Sequence, residues 1–165
     1  MRSIVKDRTE QQVWKAVQEL DLDPIKVKLM HGEEGLGWTL DQANEAERWY
    51  KRFLFLNFKY PYPDKSIVPT KVVDKFWHFH ILDAQKYAED CERIFGHFLH
   101  HFPYFGMKGE EDAANLRQAF EETRGIFAEE FGESLPVGNI ADCDSSACDA
   151  QPSCGSSCSG KNSSD

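Results

Sequence analysis

The sequence predicts an all-α protein: a compact multi-helix domain with one long central helix, followed by a disordered Cys- and Ser-rich C-terminal tail. Apolar residues up to Ile140 recur at spacings of three and four, with almost no two-residue alternation. Residues that cap helices stand where these runs begin. Composition then changes between Pro136 and Ala141, which sets the expected boundaries at 1–137 for the helical domain and 138–165 for the tail. The last part of that tail, 141–165, contains no aromatic and no branched aliphatic residue, so it cannot build a core.

Each helix can be justified in turn. Thr9 precedes a segment carrying Val13, Trp14, Val17 and Leu20, and Asp23-Pro24 opens a short helix through Ile25, Leu29 and Met30. Gly32 to Gly37 reads as a loop. Thr39 with Gln42 is a capping-box pattern ahead of Ala43, Ala46, Trp49, Tyr50, Phe53 and Leu56, and Pro61 and Pro63 close that helix. Thr70 caps the expected long helix, which runs towards Pro103 with Gly96 as its one point of interruption. A last helix from about Glu111 to Phe131 carries Leu116, Phe120, Ile126 and Phe127, and Gly132 ends it. The PYFG turn at 103–106 is expected to pack home.

Composition excludes several function classes. The chain has 165 residues, 41% hydrophobic, 13% aromatic and 28% charged, which suits one globular domain rather than a repeat array. Nineteen Lys and Arg against 28 Asp and Glu give a net charge of −9, the wrong sign for holding nucleic acid or anionic lipid. Four aspartates against Lys161 place −3 of that charge in 141–165 and leave −6 on the rest. The opening residues carry charges where a signal peptide needs an apolar run, and no stretch approaches the roughly 18 apolar residues of a membrane span. The expectation is a cytoplasmic protein with no nucleic-acid or membrane partner.

Read as one helix, Lys71 to His101 places Trp77, Ile81, Ala84, Ala88, Cys91, Phe95 and Phe98 on a core seam. Beside that seam fall His80, Asp83, Tyr87, Asp90, Ile94, His97 and His101, with Lys86, Glu89, Glu92 and Arg93 on the far side. Imidazole and carboxylate groups three or four residues apart on a helix can converge on one transition-metal ion. His80 with Asp83, and separately His97 with His101, meet that spacing and are the candidate metal ligands of the domain. His97 with His100 is a further pair, whereas His78, two residues from His80, points elsewhere. His80 and His97 would stand roughly 25 Å apart along one helix, so further ligands would have to come from outside, among His31, Glu33, Glu34, Glu45 and Glu47. The competing reading is a buried hydrogen-bond network in which Asp83 and Asp90 accept from Tyr87, imidazole or backbone donors. Cys91 reads as a small buried hydrophobe. No nucleophile motif, Gly-rich phosphate loop or HExxH accompanies these residues, and the expectation is binding without catalysis.

Residues 73–106 resemble the signature region of the glycine-rich domain-containing protein-like family, a domain of plants and bacteria. The matching words are Val73-Asp74, Trp77-His78, His80-Ile81-Leu82-Asp83, Tyr87, Asp90-Cys91, Phe95-Gly96 and His100-His101 with Pro103. Residues 47–74 are similar too, so the likeness extends over most of 22–131. It implies a helical domain and no agreed reaction. The tail departs from that family's pattern, since its 141–165 part is Ser- and Cys-rich and holds only Gly155 and Gly160.

The tail has its own chemistry. Cys143, Cys148, Cys154 and Cys158 supply enough thiolates for one tetrahedral zinc or a small cluster around Cu(I), although the spacing is not that of paired CxxC knuckles. The expected cofactor is therefore zinc or copper, held by the tail and by the His and Asp row. Two alternatives are a ribosomal peptide precursor, in which the helical body leads a modifying enzyme to the tail, and a plain protein-interaction domain with a structural His, Asp and Tyr network.

Overall fold

A computed structural model describes residues 8–135, which form six helices and no strand. They are α1 (Glu10–Gln18), α2 (Asp23–Met30), α3 (Leu40–Lys59), α4 (Lys71–Leu82), α5 (Ala84–Phe95) and α6 (Glu110–Phe131). The four tail cysteines lie outside the described residues.

Local chemistry explains where the helices start and stop. Thr9 and Thr39 each close a reciprocal capping box, with Gln12 and Gln42 respectively, and the Thr70 hydroxyl accepts from the Val73 amide. Pro24 occupies the first turn of α2, where its missing N–H costs nothing. Gly132 ends α6 in the left-handed conformation at φ 67°.

The central element is α3, against which α1, α2 and α4 pack, while α5 lies against α4 and α1. Tyr50, Phe53, Leu54 and Leu56 of α3 are buried, and Tyr50 and Phe53 meet Phe76 and Trp77 of α4 at ring separations of 4.9 and 5.0 Å. Phe127 of α6 joins this core, and the far end of α6 forms a smaller cluster of Leu116 and Phe120 with Val68. Phe105 of the 103–106 turn packs against that cluster as expected, but Tyr104 is 58% exposed. Among the described residues no helix is long and apolar enough to cross a membrane.

The expected long helix is two helices. Asp83 leaves helical geometry at ψ 73°, and its carbonyl accepts from the Tyr87 amide to begin α5. The change of direction re-phases everything after it. Ala84, Ala88 and Phe98, expected on the seam, are exposed, whereas Tyr87 and Ile94 of the expected polar row are 1% exposed. Burial of His80 gives the physical reason. Its partner Asp90 would stand about 15 Å along a straight helix, but the break brings the Asp90 carboxylate to 2.9 Å from His80 Nε2.

Candidate metal centre

Two histidine centres arise from α4. His80 belongs to a sealed one, 1% exposed, with Nδ1 2.8 Å from the Tyr50 hydroxyl and Nε2 2.9 Å from Asp90. Asp90 can only accept from the ring, so Nε2–H donates to it and Nδ1 takes the Tyr50 proton. Burial pushes the Tyr50 phenol well above its ordinary pKa, which keeps that proton available. Burial alone would raise the Asp90 carboxyl, but hydrogen bonds from His80 and Lys86 more than reverse this and hold it below the usual value. Both nitrogens of His80 are thus occupied within the core.

The second centre is open to solvent. Asp74 and His78, four residues apart on α4, project from the same face. The third member, His101, comes from the chain beyond α5. Gly96 ends α5 at φ 69°, a backbone conformation that disfavours a side chain, and lets the chain return along α4. Three contacts fix that return. Trp77 Nε1 donates to the Tyr87 hydroxyl at 2.8 Å, Tyr87 donates to the Leu99 carbonyl, and the Trp77 ring lies 4.5 Å from the His101 ring. His101 Nε2 then sits 2.9 Å from Asp74 Oδ1 and 2.9 Å from His78 Nε2, with His78 Nε2 3.5 Å from Asp74 Oδ2.

Asp74 meets the two rings through different carboxylate oxygens, Oδ1 for His101 and Oδ2 for His78. If His101 Nε2–H donates to Asp74 Oδ1, His78 Nε2 shares that proton only as the second acceptor of a three-centre bond. If His78 Nε2–H donates to His101, the contact between His101 and Asp74 becomes lone pair against lone pair. A cation at the centre would accept from all three residues. Metal–ligand bonds of about 2.0–2.2 Å place adjacent donors about 2.8 to 3.6 Å apart in octahedral to tetrahedral sites, a range that includes the separations of 2.9 and 3.5 Å seen here. Burial and the neighbouring His101 lower the His78 pKa and outweigh the opposing pull of Asp74, which favours the neutral imidazole a metal requires. The His78 side chain is 48% exposed, so the site opens to solvent on its side.

The sequence-selected residues distribute differently from the expectation. His80 and Asp83 do not form a chelating pair, because both His80 nitrogens are engaged and exposed Asp83 occupies the helix break. His97 and His101 do not share a helix face, because α5 ends before either; His97 is exposed, with Nδ1 beside the Phe98 carbonyl. Of the outside candidates, Glu47 pairs with Lys26 and Lys51, Glu45 with Arg48, Glu34 with Lys28, and His31 Nδ1 accepts from the Glu33 and Glu34 amides. Asp74 and His78 were missed as a candidate pair, although their i, i+4 spacing within one helix was a usable signal. Among the described residues, Asp74, His78 and His101 are the one group of three His, Cys, Asp or Glu residues able to share an ion. Cys91 is a buried free thiol whose pKa burial raises, which makes it inert.

The fold and this site define an all-α domain with two imidazoles and one carboxylate converging at its surface. A family model, UCP032817-like, matches residues 17–125, and the chain belongs to that family. Its description assigns no activity, and the glycine-rich domain-containing name is a finer assignment than the match carries. No curated protein and no solved structure matches the chain.

Proposed function

We propose that this protein binds a transition-metal ion, zinc or copper, without catalysis, and that Asp74, His78 and His101 are its ligands in the helical domain. The observation that carries this reading is the convergence of two imidazole nitrogens and a carboxylate at separations of 2.9 to 3.5 Å. Two imidazole nitrogens and a carboxylate are a donor set that zinc and copper accept, and three protein ligands leave at least one position open. The tail cysteines remain thiolate donors in this reading, and the cytoplasm we expect for the protein keeps thiols reduced. Kinship with glycine-rich domain-containing proteins is likewise proposed, on the words of residues 73–106.

The test is elemental analysis with native mass spectrometry on protein purified from its own host without chelators. Stoichiometric metal in the wild type, lost in His101→Ala and His78→Ala and retained in His97→Ala, supports the reading. A metal-free protein with an altered tail mass replaces it with the peptide-precursor reading. A metal-free, unmodified protein leaves an interaction domain.

A further inference from the structure

Three donors are one short of a tetrahedral site, and among the described residues no further His, Cys, Asp or Glu offers an atom within 4.8 Å of those of Asp74, His78 and His101. Resting on the metal reading above, we propose that the ion and Lys75 together bind a phosphate dianion, free or as the head of a monoester. One phosphate oxygen is then on the ion and another on the Lys75 ammonium.

The arrangement of α4 supports the assignment. At about 100° per residue, Trp77, Asp74, His78 and Lys75 succeed one another around the helix at about −60°, 0°, 40° and 100°. His101 lies over the first part of that arc, its ring 4.5 Å from the Trp77 ring and its Nε2 2.9 Å from Asp74. The other flank of the half-exposed His78 is therefore the way in, and Lys75 borders it. Three residues apart on one helix, Lys75 and His78 have Cβ atoms about 5–6 Å apart, so one small ligand can span from the lysine ammonium to the ion. The Lys75 side chain is half buried and has no hydrogen-bond or ion-pair partner among the described residues, whereas Lys71, one turn earlier, is already engaged. Charge then selects the ligand. With both imidazoles neutral, a dication, the Asp74 carboxylate and the Lys75 ammonium leave two positive charges. One phosphate dianion balances them, and one carboxylate balances half. A phosphate also has oxygens enough to meet the ion and the ammonium at once, and lysine suits it as a point charge.

Cobalt(II) is the probe metal, because its unpaired electrons broaden the phosphorus NMR resonance of a phosphate bound to it. Phenyl phosphate and, separately, inorganic phosphate are titrated at neutral pH into full-length protein loaded with cobalt and freed of excess metal. The wild type is compared with Lys75→Met, Lys75→Arg and His101→Ala. The expected wild-type result is saturable broadening, and the tighter of the two ligands shows whether the phosphate is free or a monoester. Lys75→Met should keep its cobalt and bind phosphate about tenfold more weakly, while Lys75→Arg, which keeps the charge, should retain the binding. His101→Ala should lose both the cobalt and the broadening, and acetate should compete poorly. Cobalt that depends on His101 but gives no saturable broadening overturns this inference and leaves the metal reading standing. Equal phosphate affinity in the wild type and Lys75→Met, or acetate that competes as well as phosphate, overturns it in the same way. Wild-type protein that takes up no cobalt, or no more than His101→Ala does, overturns both this inference and the metal reading.

Discussion

His78 and His80 stand two residues apart on α4 and meet opposite surroundings. At position 80 the ring is sealed in the core, and Tyr50 and Asp90 satisfy both nitrogens. At position 78 the ring is half exposed, and its Nε2 faces His101 Nε2 at 2.9 Å and Asp74 Oδ2 at 3.5 Å. About half a helix turn therefore separates a histidine that holds the fold from one that opens to solvent. The difference teaches that burial and hydrogen-bond completeness, rather than residue type or spacing, separate a structural imidazole from one left accessible.

The comparison can be broken most strongly at position 80. His80→Ala leaves the Tyr50 hydroxyl and the Asp90 carboxylate without their ring partner in the core, and should cost about 3 kcal/mol in chemical denaturation. His78→Ala should stay within about 0.5 kcal/mol of the wild type when both are metal-free. Equal costs for the two would erase the distinction.

Tyr87→Phe sharpens the comparison, because Tyr87 ties the fold to the His101 segment through Trp77 and Leu99. Losing those bonds should cost about 1–2 kcal/mol and weaken zinc binding about tenfold through loss of positioning. A zinc titration beside the denaturation curve reads both. Unchanged affinity would mean that the segment is held by other contacts.

The pH dependence of stability isolates the sealed centre. The Asp90 carboxyl is held below its ordinary pKa, so its contribution is complete above the unfolded value of about 4 and is lost as pH falls through the lower folded value. Asp90→Asn should be less stable than the wild type at neutral pH, and the gap should close in acid. A gap that stays constant down to the acid transition would show that Asp90 is not so coupled. The smallest effect belongs to exposed His97: His97→Ala should change stability by under about 0.5 kcal/mol and leave metal content alone.

The helix starts at Thr9, Thr39 and Thr70 and the stop at Gly132 were legible because each is a local bond or a local backbone geometry. The break at Asp83 was not. Neither Gly nor Pro marks it, and its cause is the tertiary pairing of His80 with Asp90. Missing the break carried a phase error through α5, so Tyr87 was placed at the core boundary although it is buried. The cluster of Asp74, His78 and His101 was hidden by the same error, because His101 meets Asp74 and His78 only if the chain turns back at Gly96. His101 itself was identified from residue type, but its partners were not.

The most direct test of the central claim is a zinc titration of full-length, chelator-stripped protein followed by the imidazole NMR resonances of every histidine. The account predicts that the His78 and His101 resonances shift together and saturate at one zinc per chain, while those of His80 and His97 hold still. Saturable zinc binding that leaves His78 and His101 unmoved would contradict it.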